Sequence, residues 1–480
     1  MIFGACYILI SKTKKRLRLT LPAKATVFYT IAGALERGLG FIFTPIYTRL
    51  LSPTEFGLYP LYVSWMGIVT VIVTLELQGG VIYRAMTKFK GREEELVSSA
   101  LGVIILSALT VGGLIFPFRA AISRITGLET PFLYALLLSA LINGIESVYF
   151  ARCRYFYEYK ATSVISAVNA VLSPLIAISI IRFSPYRKEA RIIAPLVVGL
   201  VVILPLITRI LRSGGRIFSP DIWGYLIRTS FPLLPHFLAT SVIAQSGKLA
   251  IGRYFGEDAL AKYSLVFSLG FLFTIMTVGI NSGLSPWINR KLSRERLSEI
   301  GKVTGELFSL FATLSLMAIT FVPEGLSILA PPEYRDALPA VYPITVSVII
   351  SFLSSVFYTV SVYYERGHLV TICTVITALI TVVLHLTLTR ILGYAMAGAV
   401  SCIAALLNTL LYAFIIGGVL KKRIFTPMPL FGTVIFTIGW AFILFFLRGS
   451  LGARFFAFLA LFLISVPKAI ACYRLIKEKE

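Results

Sequence analysis

A chain of 480 residues that is 57% hydrophobic and only 14% charged, with a mean hydropathy of +0.87, falls outside the soluble globular class, where about a quarter of residues are charged. Apolar runs of about 20 residues recur from end to end, which is membrane-helix length and too long and uniform for the ~10-residue alternating strands of an outer-membrane barrel. The net charge of +23 would suggest nucleic acid in a soluble protein; here it lies largely in short loops between apolar runs, so it reads as Lys and Arg held at a cytoplasmic face.

In chain order, residues 1–23 open with MIFGACYILI and only then turn basic in SKTKKRLR. That order is the reverse of a secretory signal, whose charges precede its apolar core, so an uncleaved cytoplasmic tail is expected. Fourteen apolar spans follow, near 24–48, 58–80, 96–117, 131–151, 161–182, 190–211 and 221–251, then 259–284, 301–322, 338–361, 369–390, 394–418, 428–447 and 452–470. The seventh is interrupted by Arg228, Pro232, Pro235, His236, Gln245 and Lys248. The predicted fold is an all-α polytopic membrane protein with its N-terminus inside, and an even number of spans places both termini in the cytoplasm. That orientation gives the cytoplasmic loops roughly a two-to-one excess of Lys and Arg. One outer loop breaks the rule, carrying Arg182, Arg187, Lys188 and Arg191.

An internal repeat organises the spans. Between spans 1 and 2, the stretch ALERGLGFIFTPIYTRLLSPTEFGLYPLY makes a Ser-Pro turn at Ser52–Pro53; between spans 7 and 8, GRYFGEDALAKY makes a second turn. In both, an Arg (Arg49, Arg253) precedes a Tyr (Tyr59, Tyr263) by ten positions. Six spans per copy give parallel repeats related by an axis along the membrane normal. The expected division is a basic tail at 1–23, a first six-helix bundle at 24–212, a cytoplasmic linker at 213–220, a second bundle at 221–420, and a C-terminal helix pair with a basic tail at 421–480.

Three stretches carry a resemblance: FTPIYTRLLSPTEFGLYPLY with LQGGVIYRAM, then SFPLLPHFLATSVIAQSGKLAIGRYFGEDALAKYS, then LTRILGYAMAGAVSCIAALLNTLL. On these the chain resembles the polysaccharide or oligosaccharide-lipid flippases of the multidrug/oligosaccharidyl-lipid/polysaccharide exporter superfamily. The resemblance implies a non-enzymatic transporter that moves a polyprenyl- or dolichyl-diphosphate-linked oligosaccharide from the cytoplasmic to the outer leaflet of the plasma membrane by alternating access. It also implies that spans 13 and 14 form a groove for the lipid tail. The partners expected are that substrate and membrane lipids, with no nucleic acid and the monomer as the working unit. Members of the family often carry an acid near the end of the seventh helix, where this chain has Gly247 and Lys248.

An ionisable side chain at membrane depth costs at least ~2.5–3.5 kcal/mol, so it normally faces a partner or a wet cavity. Arg37, Arg228, Lys248 and Arg253 are the candidate cations for a diphosphate, which Arg and Lys grip with charge-assisted hydrogen bonds. Arg228 and Arg253 also suit ordinary interfacial anchors, as do Arg49 and Tyr59. Glu36, Glu76 and Glu146 are the candidate carboxylates, and either they take up a coupling ion or they pair with Arg37 or Arg84 to hold the first bundle together. No cofactor or metal is expected, because the three histidines and five cysteines lie scattered. A cation-coupled multidrug exporter would need acidic cavity walls, and a membrane glycosyltransferase or ligase would need a catalytic acid or metal pair on an outer loop; these are the competing readings.

Overall fold

The computed structural model describes residues 21–477. It is helical throughout, with no strand among the described residues. The first seven helices are α1 (Leu21–Leu50), α2 (Pro53–Thr74), α3 (Val81–Lys88), α4 (Glu93–Thr126), α5 (Thr130–Tyr155), α6 (Tyr159–Phe183) and α7 (Ala190–Gly214). A short α8 (Pro220–Ser230) leads into α9 (Leu234–Phe271), α10 (Phe273–Ser293), α11 (Leu297–Ile319) and α12 (Val322–Leu329). Then come α13 (Val341–Tyr363), α14 (Gly367–Leu384), α15 (Ala397–Phe414), α16 (Pro427–Leu447) and α17 (Leu451–Lys477).

Twelve helical stretches among the described residues are long and apolar enough to cross a membrane, and one of them, Leu234–Ser293, is 60 residues long. It turns back on itself at Gly256, whose φ of 80° and ψ of −176° suit only a residue without a side chain. A Cβ on Gly252 would lie 3.2 Å from Leu260 Cδ2, a contact a straight helix would put about 12 Å out of reach. With that stretch counted twice, thirteen crossings are met by length and composition among the described residues; the expected span at 24–48 falls on the 30-residue α1, which is not one of those thirteen. The basic tail at 1–23 lies, for its first twenty residues, outside the described residues.

Local sequence chemistry sets the corners. Ser52 caps α2 in a reciprocal box, its Oγ accepting from Glu55 N at 3.3 Å while Glu55 Oε2 accepts from Ser52 N at 2.8 Å, with Pro53 supplying the first helical φ. The expected seventh span at 221–251 is corrected here. α8 ends at Ser230, a turn at Phe231–Leu233 follows, and the membrane helix starts at Leu234 with Pro235 in its first turn. Pro232 removes a backbone donor at that break, so the helix cannot run through it. α8 instead docks on α3 and α4, where Arg92 bridges to Asp221 at 2.7 Å and Ser98 Oγ donates to Arg216 O at 2.6 Å.

Apolar burial divides the molecule unevenly. Toward the face bearing Arg92, α2 to α8 enclose their own core around Ile82, Leu101 and Tyr149. Toward the face bearing Ser52, α1, α2, α5, α6 and α7 share a single core with α9 to α17, running from Tyr47 and Tyr62 through Tyr263 to Phe352. The seam between the halves is α2 against α9. There a Cβ on Gly57 would fall 2.0 Å from Glu257 O, and Ser241 Oγ donates to Gly67 O at 2.8 Å. The two repeated hairpins therefore meet backbone to backbone on the Ser52 face. Beyond α10, α16 and α17 pack on α11, pinned by the bidentate Arg454–Glu324 pair and by Lys468 donating to Thr313 Oγ1 at 3.0 Å.

Candidate functional site

A cavity of about 510 Å³ opens where α1, α2 and α7 face the two limbs of α9. Its walls are largely apolar and aromatic, with Gln245 and several Ser and Thr hydroxyls among them, and two cations approach from opposite sides of the seam. Lys248, on the first limb of α9, sets its Nζ 4.3 Å from the centre of the Phe267 ring on the returning limb. Arg191, in the first turn of α7, stacks its guanidinium over Tyr59 at 4.1 Å, Phe56 at 4.3 Å and Tyr47 at 4.8 Å. Neither cation has a carboxylate within ion-pair distance among the described residues, and Arg191 Nη1 is buried with no hydrogen-bond partner. Gln245, one turn before Lys248, likewise has a buried Oε1 without a partner. No Asp or Glu lines this cavity among the described residues.

Aromatic faces stabilise a cation by roughly 0.5–2 kcal/mol each, enough to hold and orient the guanidinium but not to replace a counter-ion. Burying an unpaired charge is costly, so these two groups favour an anion or water in the space between them. Chemically, two cations without a carboxylate partner suit a site of this kind to groups that carry negative charge.

The expected site residues distribute as follows. Lys248 lines the cavity. Arg228 sits exposed on α8, outside the cavity wall, because the break at Phe231–Leu233 detaches it from the membrane helix. Arg253 is exposed on the other side of the seam, in a separate space of about 950 Å³ that it shares with Arg124, Glu257 and His385. Glu36 and Arg37 belong to α1, and their side chains lie outside the described residues. Glu76 is in the turn after α2 with φ 48°, its side chain beside Gly79. Glu146 on α5 accepts a hydrogen bond from Asn169 Nδ2 of α6 at 3.3 Å, a tie within the first bundle.

Two residues that the sequence reading set aside line this cavity. Tyr59, expected as a surface anchor, is the nearest ring under Arg191. Arg191 itself was one of the outer-loop charges that broke the orientation rule. The structure resolves three of the four: Arg191 is inside the cavity, Lys188 pairs with Glu129 at 3.3 Å, and Arg187 reaches Glu55 at 3.4 Å and the Leu50 carbonyl. That excess of positive charge was the available signal.

A second cavity, of about 380 Å³, adjoins the first and shares Ala244, Phe267, Phe271 and Thr274 with it. Between α13, α15 and α16 runs an apolar groove of about 420 Å³ with Lys422 and Arg423 on its rim.

Comparison with known proteins bears on the family and the fold. The family model described as polysaccharide biosynthesis protein matches residues 23–290, more than half of the chain, and the MatE model matches residues 232–387. Among curated proteins, the probable multidrug resistance protein YoeA of Bacillus subtilis (strain 168) is 30% identical over 119 residues, which is 24% of this chain and 26% of that protein. The succinoglycan biosynthesis transport protein ExoT of Rhizobium meliloti (strain 1021) is 26% identical over 234 residues, 47% of this chain and 45% of that one. The chain thus aligns with less than half the length of either relative. Among solved structures, the lipid II flippase MurJ in its inward closed conformation superposes with a TM-score of 0.71 at 12% identity, covering 92% of this chain and all of that one, a likeness of fold.

Proposed function

This chain belongs to the polysaccharide biosynthesis protein family, within the superfamily of multidrug, oligosaccharidyl-lipid and polysaccharide exporters, and from that premise we propose that it is a flippase for a polyprenyl- or dolichyl-diphosphate-linked oligosaccharide. The observation that carries the reading is the pair of carboxylate-free cations, Lys248 and Arg191, facing one cavity from opposite sides of the seam. A diphosphate supplies the counter-charge both lack, and Arg and Lys grip phosphate oxygens well. The groove between α13, α15 and α16 suits the lipid tail, with Lys422 and Arg423 at its mouth. Movement runs from the cytoplasmic to the outer leaflet of the plasma membrane by alternating access, without covalent chemistry, and the fused core on the Ser52 face is the closed, outer side of that cycle. The partial likeness to a multidrug resistance protein raises a cation exporter as a second reading, which a cavity wall without Asp or Glu among its described residues does not favour.

The test is headgroup translocation in reconstituted vesicles. Lys248→Ala and Arg191→Ala are each expected to slow a diphosphate-linked oligosaccharide by at least about tenfold, the equivalent of one charge-assisted hydrogen bond. Arg228→Ala and Arg253→Ala are expected to stay within about twofold of wild type, as exposed charges do. Wild-type rates in both cavity variants would overturn the reading, and extrusion of cationic dyes in its place would favour the exporter.

A further inference from the structure

The space of about 950 Å³ that holds Arg253 lies across the seam from Lys248 and Arg191 and takes no part in the transport path described above. Two helical stripes form its walls. On α2 the stripe is Leu61, Trp65, Ile68 and Ile72. On α9 it runs from Leu238 through Val242, Ser246 and Leu249 to Arg253. Both advance by three or four residues, so each is one face of its helix. Leu61 fixes the level of one end. Its methyls lie 3.7 Å from where a Cβ on Gly127 would stand, just past α4, and 3.3 Å from one on Gly252. Trp65 Nε1 donates to Thr126 O at 3.0 Å and ties the same end of α4 to α2. Arg124, three residues before Gly127, and Arg253, beside Gly252, are thereby brought to one end of the groove, the end toward Ser52.

The groove is charged at that end and largely apolar for the rest of its length. The two guanidiniums come from different halves of the molecule, are exposed, and make no hydrogen bond or ion pair among the described residues. Glu257 lines the same space, so two positive charges face one negative. From Leu61 to Ile72 is eleven residues and from Leu238 to Arg253 fifteen, about 16 and 22 Å of helix, against roughly 15 Å for the hydrocarbon of one leaflet. The polar groups along that length are Ser246 and His385, whose Nδ1 is bonded to Thr389 at 3.1 Å. Ile125 and Leu386 line the groove and are exposed, so it faces hydrocarbon. Arginines that only anchor a helix snorkel singly from its surface; these two converge from α4 and α9 on one groove. A free anion would fill only its end, and an uncharged hydrocarbon only its length. A lipid with an anionic phosphate fills both, because Arg grips phosphate oxygens through charge-assisted hydrogen bonds and basic pockets between membrane helices take such headgroups.

We propose that this groove is a binding site for one anionic phospholipid of the leaflet at the Ser52 face, its phosphate held by Arg124 and Arg253 and its chains lying along the stripes of α2 and α9. The lipid touches both halves of the molecule across the seam. It is a resident of the membrane and not the transported cargo, so the site stands or falls apart from the flippase reading.

The experiment reads the fluorescence of Trp65, which lines the groove, in full-length protein whose other three tryptophans, Trp223, Trp287 and Trp440, are replaced by Phe. Quenching by brominated phosphatidylglycerol and by brominated phosphatidylcholine in mixed vesicles gives the relative affinity of the two lipids at this one place. Phosphatidylglycerol is expected to be preferred about fivefold, which is what two exposed cations supply. In the Arg124→Gln, Arg253→Gln double variant the preference should fall to about 1.5-fold or less, while Glu257→Gln, which removes the opposing charge, should raise it about twofold. The two variants move the ratio in opposite directions, so a loosened fold does not imitate the pair. Equal quenching by both lipids in the parent protein, or a preference that survives the double variant, would overturn the site. So would tighter binding of a brominated polyprenyl phosphate, which would give the groove to a carrier lipid, or relief of quenching by inorganic phosphate, which would reduce the site to an anion contact without the chains.

Discussion

Arg191 shows how one side chain changes meaning between one dimension and three. In the sequence it follows Glu189 and Ala190 in an outer loop and reads as a solvated charge. In the fold it is the first-turn residue of a membrane helix, held flat by three rings drawn from α1 and α2. Arg454 is the contrasting case, a cation with its partner in place. Both its terminal nitrogens bond the Glu324 carboxylate, at 2.7 and 2.6 Å, and it donates to Thr320 O at 2.8 Å. Those hydrogen bonds hold the Glu324 carboxyl below the usual carboxylate range. A depressed carboxyl contributes stability that is present above its unfolded pKa, about 4, and is lost as pH falls through the lower folded value. Glu324→Gln is accordingly expected to cost about 1–2 kcal/mol at pH 7, less than the ~3–5 kcal/mol of a fully buried pair because the Glu324 side chain is 42% exposed. Thermal unfolding in detergent at neutral pH and near pH 3 checks it. The gap between wild type and variant should close at the lower pH, and a gap of equal size at both would show that the carboxylate is not the source.

At the scale of elements, the two hairpins that first suggested a repeat are also the parts that touch most closely. Gly57 admits the backbone of Glu257 where any side chain would collide, with a hypothetical Cβ 2.0 Å from a carbonyl oxygen that has no freedom to rotate away. Gly57→Ala must therefore push α2 off the Gly256 turn, and about 1–3 kcal/mol is the expected loss for such overpacking. The measurement is a thermal midpoint against Gly224→Ala on α8, where the added methyl meets nothing within 4 Å. A fall no larger than the control would mean that the seam is loosely packed. The span pattern was legible because membrane length and turn residues are local: 190–211 became Ala190–Gly214 and 428–447 became Pro427–Leu447. The cavity was only partly legible. Lys248 was found because a Lys deep in an apolar run is anomalous on its own helix. Arg191 and Tyr59 were missed because their burial is created by helices more than a hundred residues apart, and Arg228 was included because the prolines at 232 and 235 read as interruptions within one span rather than as its start.

For the whole molecule, the uneven division of the core defines which way it is shut. The halves share one apolar core on the Ser52 face and keep separate ones toward Arg92, so opening to the Ser52 face must break the contacts peculiar to that side. Two of these are polar and specific. Thr48 Oγ1 donates to Leu329 O at 2.7 Å, and Arg49 Nη2 donates to Ile328 O at 3.0 Å, tying the end of α1 to the end of α12. Each such bond contributes about 0.5–1.5 kcal/mol net, so removing both shifts a two-state equilibrium by between about fivefold and 150-fold. The apolar contacts around them set how much of that shift is visible. The double variant Thr48→Val, Arg49→Ala is expected to expose the cavity to the Ser52 side. In a background with the five native cysteines replaced, a single cysteine at Phe271 should react with a membrane-impermeant maleimide applied from that side at least about fivefold faster in the variant than in its parent. A diphosphate-linked lipid that favours the closed form should slow the reaction again, by linkage to the same equilibrium. Unchanged labelling would assign the closure to the shared core and the Gly57 contact alone, and the polar ties would then fix the register of α1 on α12 without governing which face is open.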